Sequence, residues 1–340
     1  MEAIACPDRQ IALVTYTINN MNGIIRRFGE RYGGVPKHVD VMTWFGFLLR
    51  EGARPYQHAV YRDRRIEAIQ FVKGRSPYWH SEKEDTSRYY FCDGNLIYSD
   101  KIAKFIVRCE ENSGGRVIRR LRQVYTDLFI DECQDLAGGD WDLVELLLKS
   151  DIRIILVGDP RQSVLSTNLA QKNKRYRKSG VTKLLEKWEE DGLCKIETMN
   201  KTHRCNRAVC DFANRLWPDM DYMTPLTDEQ TEHDGVFLVA ESKVDEYLLH
   251  YHPQVLQREK RAKSYGCPAL NFGVAKGMEY DRVLIVPSVP IKKFLKTGDP
   301  GPLKEKEKLH VAITRARHSV AFVYDGVSPI VKDRWEGVVS

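Results

Sequence analysis

The chain has 340 residues, 42% apolar and 29% charged, which is room for about two domains and the composition of an ordinary globular protein. No apolar run approaches the ~20 residues of a membrane-spanning helix, and the start "MEAIACPDRQ" lacks the basic and apolar regions of a signal peptide, so a cytoplasmic location is expected. The net charge of +6 sits in runs, "RRLR" at 119–122, "KNKRYRK" at 172–178, "REKRAK" at 258–263 and "KEKEK" at 304–308; one such run is an ordinary solvated face, and several favour a polyphosphate partner.

In chain order, "QIALVTYT" (10–17) reads as a buried strand and "NNMNGIIRRFGERYGG" as a helix stopped by Gly33 and Gly34. "VDVMTW" is a second short strand running into "FGFLLREGA". Residues 50–115 are rich in Tyr, Arg and Ser with weak periodicity, which predicts an inserted helical or irregular subdomain. "TDLFIDE" is a strand, "DWDLVELLLKS" sets Leu143, Val144, Leu147 and Leu148 on one helical face, and "IRIILVGD" is a strand again. Alternation of this kind, with near-continuous apolar strands, predicts a parallel sheet covered by helices.

The pattern lapses over 165–195 and restarts with "CKIETMNKT", read as the first strand of a second set. The helix "RAVCDFANRLW" follows, with Val209, Phe212, Ala213 and Leu216 as its apolar face, then the strands "GVFLVA", "DRVLIVP" and "SVAFVYD". The expected fold class is α/β, in two units, 1–195 (with the insertion at about 50–115) and 196–340. Eight cysteines, at 6, 92, 109, 133, 194, 205, 210 and 267, show no CxxC spacing and read as reduced structural thiols rather than a metal site.

Asp131 and Glu132 close one apolar strand and Asp159 closes the next. Ligands of open parallel sheets bind beyond the carboxyl ends of the strands. A carboxylate there can hold Mg²⁺ through its water shell, and a second can take a proton from the water that attacks a phosphate. The same acids also suit helix starts, where a negative oxygen satisfies unpaired N–H groups. Gln134 and Gln162, at matched positions after the acids, weigh toward phosphate chemistry.

"FIDECQD" followed by "ILVGDPRQSV" resembles motifs II and III of the UvrD/Rep-like superfamily 1 DNA helicases. The rest follows in family order: "LVTYTINN" resembles motif Ia, "VDVMTWFGF" the next DNA-contacting segment, "NKTHRCNRAVCDFAN" motif IV, "FGVAKGMEYDRVLIV" motif V and "LHVAITRARHSVAFV" motif VI. The matches run from residue 10 to 324. The resemblance implies two RecA-like P-loop NTPase domains that clamp ATP and Mg²⁺ between them, in an ATP-dependent DNA helicase or single-stranded DNA translocase.

By that resemblance Asp131 holds Mg²⁺, Glu132 is the catalytic base and Gln162 senses the γ-phosphate. Arg204 of "THRC" and Arg315 of "TRAR" reach the phosphates from the second domain, where a guanidinium can stabilise charge on the transferred group. The plainer reading of Arg315 is a helix-end arginine on carbonyls; Arg317 is the weaker candidate. Glu279 of "KGMEY" contacts the nucleotide sugar, and Gly277 permits the turn before it. On the DNA side, Tyr16 stacks on a base, worth about 1–3 kcal/mol, and Thr17 follows it. Thr43 and Trp44 add a phosphate contact and a second surface, against the plainer reading of Trp44 as a buried ring.

Three features depart from the family. Leu165 stands where motif III carries an aromatic, Gly273 where motif V has a histidine, and only 71 residues separate Arg204 from Lys276, too few for the family's large accessory insertion. Above all, no GxxxxGK[ST] occurs, and "YGGVPKH" lacks both its hydroxyl and its spacing. The nine residues before "QIALVTYT" cannot hold a strand, an eight-residue loop and a helix of about 11 residues. The expectation is a helicase shortened at its N-terminus, without the first strand and the Walker A loop. The rival is a non-hydrolysing DNA-binding or scaffold subunit, with a protein partner in a DNA-processing or defence complex.

Overall fold

The computed structural model describes residues 7–77, 79–164, 172–176, 180–226, 229–258 and 265–337. The chain divides into two compact units, Met1–Ile196 and Glu197–Ser340. Leu165, residues 177–178 of one basic run and residues 259–263 of another lie outside the described residues.

Strands of the first unit are β1 (Ile11–Thr15), β2 (Val39–Thr43), β3 (Ala68–Gln70), β4 (Phe91–Cys92), β5 (Leu96–Tyr98), β6 (Asp127–Ile130) and β7 (Arg153–Leu156). Four of them form a parallel sheet in the order β2-β1-β6-β7. The register pairs Thr15 with Thr43, Val14 with Ile130, and Ile130 with Leu156, so the carboxyl ends line up at one edge. Aliphatic side chains facing both ways explain why β1 is buried along most of its length.

Local signals set the helices around this sheet. The helix Ile18–Tyr32 begins on Thr17, whose Oγ1 accepts the Asn20 N–H at 3.2 Å, and stops at Gly33 in the left-handed region, φ 74°. The helix Asp140–Leu148 buries Leu143, Val144 and Leu147 in the core, with Leu148 at its margin.

The insertion is more than helical. Besides the helix Ile102–Asn112 it carries a small sheet, β3-β5-β4, with one parallel and one antiparallel pairing. Strands of two and three residues are too short to show a period in sequence.

Strands of the second unit are β8 (Lys201–Thr202), β9 (Thr224–Pro225), β10 (Gly235–Val239), β11 (Gln254–Gln257), β12 (Ala269–Asn271), β13 (Tyr280–Val286), β14 (Ala316–Val323) and β15 (Asp333–Trp335). Six form a wholly parallel sheet, β12-β11-β13-β14-β10-β15. The helix Arg207–Asn214 packs Val209, Phe212 and Ala213 into this core, and Leu216 joins them from just beyond its end.

"CKIETMNKT" is not a main-sheet strand. Only Lys201 and Thr202 pair, with β9, in a separate two-stranded sheet. Ile196 and Met199 stay exposed, so the segment buries no face that would hold it in the sheet. The α/β class with parallel sheets in both units is the one the sequence implies. Among the described residues no helix is long and apolar enough to cross a membrane.

Candidate nucleotide and nucleic-acid sites

Beyond the carboxyl edge of the first sheet the chain turns sharply. The Asp131 N–H continues the ladder, bonding the Val14 carbonyl at 2.8 Å. At Glu132 the backbone enters the left-handed region, φ 56° and ψ 39°. That conformation costs a non-glycine residue roughly 1–2 kcal/mol and persists where its surroundings over-determine it. Here the Cys133 N–H bonds the Val157 carbonyl at 2.9 Å, tying the turn to the strand alongside.

The side chains are tied as well. The buried Thr15 hydroxyl donates to Asp131 Oδ2 at 3.5 Å. Asn20 Nδ2 donates to Glu132 Oε1 at 3.4 Å, and Gln134 Nε2 donates to Oε2. Gln134 Oε1 in turn accepts the Asp159 N–H at 3.1 Å. The Asp159 carboxylate takes Arg161 Nε at 2.9 Å and Gln162 Nε2 at 3.0 Å. One chain of hydrogen bonds therefore runs from Glu132 through Gln134 and Asp159 to Gln162. Burial, reinforced by the negative charges of Asp131 and Glu132, pushes the Cys133 thiol up to about 12, so it is no nucleophile in this site.

Gly158 lets the two turns approach. A Cβ there would stand 2.5 Å from Gln134 Oε1 and 2.7 Å from Cys133 Sγ. Sequence reasoning missed this role and the linking role of Gln134. The signals were present: a glycine before Asp159 in "VGDP", and the repeated Asp-x-x-Gln spacing.

In the second unit, Glu279 and Arg315 stand just before the paired starts of β13 and β14. Arg315 is 1% exposed. Its Nε donates to the Val311 carbonyl at 3.1 Å, Nη1 to the Met278 carbonyl at 3.2 Å and Nη2 to Thr314 Oγ1 at 3.4 Å. The guanidinium thus closes the C-terminal end of the helix Lys306–Ile313. Arg204 Nε donates to Glu279 Oε1 at 3.1 Å, and Arg317 Nη2 to Oε2 at 3.2 Å. Glu279 is therefore shared by two arginines, and the half-exposed Arg317, ranked below Arg315 by motif, is the more accessible cation. Gly277 sits at φ 83°, in the region glycine tolerates.

Of the expected DNA contacts, Tyr16 is partly buried at the end of β1, edge-on to Phe45 with centroids 5.6 Å apart. Thr17 and Thr43 both cap helices through their hydroxyls, Thr43 Oγ1 accepting the Gly46 N–H at 3.1 Å. Trp44 corrects the expectation: it is 1% exposed, stacks on Phe47, and donates its indole N–H to Asp140 at 3.1 Å. A ring sealed in the core offers no surface to a base. Burial pushes the Asp140 carboxyl up to about 6 despite that bond.

Residues 84–178 match the family model of the UvrD/REP helicase N-terminal domain. Among solved structures, the crystal structure of arterivirus nonstructural protein 10, a helicase, aligns at 16% identity and a TM-score of 0.44 over 97% of this chain and 57% of that one. Its complex with DNA aligns at 13% identity and a TM-score of 0.43, over 95% and 55%. The chain thus spans little more than half the length of those two. No curated protein matches it. The stretch that matches the family model, residues 84–178, is the one that holds Asp131, Glu132, Asp159 and Gln162, so the chain is similar there to a UvrD/REP helicase N-terminal domain.

Proposed function

We propose that the chain is the motor portion of an ATP-dependent DNA helicase or single-stranded DNA translocase, handling Mg-ATP at the carboxyl edge of its first sheet. The observation that carries this is Glu132, held in a left-handed turn with both carboxylate oxygens on amide donors beside Asp131. Strain of that kind serves a group that must be aimed.

Asp131 and the neighbouring Thr15 hydroxyl offer oxygen donors of the type Mg²⁺ takes. Among the described residues no group of three or more His, Cys, Asp or Glu gathers to hold a metal, which suits an ion that arrives with phosphate and most of its water. Bound Mg-ATP would supply a γ-phosphoryl group whose charge the ion offsets. Glu132 then takes the proton from the attacking water, oriented by Gln134 and Asn20. Gln162, linked to Glu132 through Asp159 and Gln134, passes the state of the phosphate to the loop that follows β7. Arg204 and Arg317 on Glu279 are the cations available to a nucleotide in the second unit.

The lysine and hydroxyl that cradle the phosphates in this family are not in the 340 residues. One observation bears on where they would enter. Among the described residues no strand pairs the outer edge of β7, and its three apolar residues, Ile154, Ile155 and Leu156, are only partly buried. A further parallel strand would cover that edge. The rival, a non-hydrolysing DNA-binding or scaffold subunit, draws support from the same missing lysine and from the burial of Arg315.

A labelled oligo-dT tests the DNA half of the reading. Binding should be weak, indifferent to sequence and steeply reduced by salt. Failure to bind at low salt would sink it.

A further inference from the structure

The region of the first unit that the site does not use is the insertion, and it carries two large aromatic rings in solvent. Phe71 is 63% exposed and Trp79 is 72% exposed. Both follow β3, and Lys73 and Arg75, also exposed, lie between them in sequence. Rings this open cost free energy to leave in water, and alternation with cations is the pattern that binds stacked bases along a phosphate backbone.

Two further observations separate this from an ordinary surface loop. It is anchored: the Val72 N–H bonds Ser99 Oγ at 3.2 Å, Ser76 donates its N–H and hydroxyl to Asp100 Oδ2 at 2.9 and 3.0 Å, and Lys101 Nζ holds the Pro77 carbonyl at 3.0 Å. A loop held in place loses less entropy when a ligand orders its side chains. It is also continuous with the edge of the main sheet. Phe71 meets Phe45 edge-on at 5.0 Å, and Phe45 meets Tyr16 at 5.6 Å. A line of rings therefore leads from the end of β1 out onto the insertion. Residues 62–75 hold five cations, Arg62, Arg64, Arg65, Lys73 and Arg75, against Asp63 and Glu67, a balance that suits a polyanion.

We propose that Phe71 and Trp79, with Lys73 and Arg75, form a second contact for single-stranded DNA, extending the path that starts at Tyr16. The proposal rests on the DNA-binding reading above. Phe71 and Trp79 would stack on unpaired bases, and Lys73 and Arg75 would pair with phosphates.

Trp79 is the one exposed tryptophan of six, so it reports on itself. Titrating oligo-dT into the 340-residue chain should quench tryptophan emission, and Trp79→Phe should bind while losing the quench. Phe71→Ala and Trp79→Ala should each weaken binding about 5- to 150-fold, with unchanged melting temperature because both rings are exposed. Lys73→Gln with Arg75→Gln should make the salt dependence shallower by about two charges. The proposal is overturned if the chain binds and Tyr16→Ala weakens it, yet Phe71→Ala and Trp79→Ala bind as the parent does and emission is unaltered. No binding by the parent chain overturns the DNA reading and this proposal together.

Discussion

At the carboxyl edge of the first unit's sheet, Asp131 and Glu132 keep part of their surface in solvent, while before β14 of the second unit Arg315 is 1% exposed with its guanidinium on protein carbonyls. The acids are oriented through amide and hydroxyl donors and stay partly in solvent. The arginines already have protein partners, Arg315 at the end of a helix and Arg204 and Arg317 on Glu279, and only Arg317 is half exposed. The difference shows that motif identity does not fix availability. A carboxylate at a strand end is exposed by the geometry of the sheet, whereas an arginine finds carbonyls wherever a helix stops. To reach a phosphate Arg315 would have to give up its bonds to Val311 and Met278.

The largest effect that sharpens this contrast is Arg315→Ala. It removes the donors to Val311 and Met278 and opens a space in the core, so stability should fall by about 2–4 kcal/mol in urea unfolding. A loss below about 0.5 kcal/mol would mean the guanidinium is not a structural cap.

A second test concerns the core of the same unit. His233 is buried, stacked between Phe237 at 4.0 Å and Tyr251 at 3.8 Å, with Nε2 2.9 Å from the Tyr247 hydroxyl. Burial, aided by the Arg282 charge, lowers its pKa to about 4. The unfolded chain binds the proton first, near pH 6.5. Its contribution is therefore complete above about 6.5 and is lost as pH falls through 4. About 1–3 kcal/mol should disappear between pH 7 and 4, and His233→Phe should flatten that part of the profile. An unchanged profile would refute the assignment.

In the first unit, Gly158→Ala pushes a methyl group onto Gln134 and Cys133 and should cost about 1–3 kcal/mol. A tolerated alanine would show that the two turns are not tightly joined. The smallest effect belongs to Arg317→Ala, whose partners are exposed or shared; its cost should stay under about 0.5–1 kcal/mol. A cost like that of Arg315→Ala would erase the distinction between the two arginines.

Much of this fold was legible because its main strands are near-continuous apolar runs and its helices show a 3.6 period, as in the 140–148 helix. The sheet β3-β5-β4 and the short β8 were not, since two or three residues carry no period. At the site, the acids could be read because an acid closing an apolar run has few reasons to be there. The left-handed turn at Glu132 could not: it arises from Cys133 bonding Val157, a contact between strands. Trp44 was misplaced for a related reason. A motif puts it after a strand, but which way the ring turns depends on Asp140, 96 residues away.

DNA-stimulated ATP hydrolysis tests the central claim most directly. The 340-residue chain alone should hydrolyse ATP poorly, because its sequence contains no GxxxxGK[ST] loop. A longer chain supplying a strand and a GxxxxGK[ST] loop ahead of β1 should show activity that oligo-dT stimulates, and Glu132→Gln in that chain should abolish it. Robust Glu132-dependent turnover by the 340 residues themselves, or full activity of the Glu132→Gln longer chain, would contradict the account.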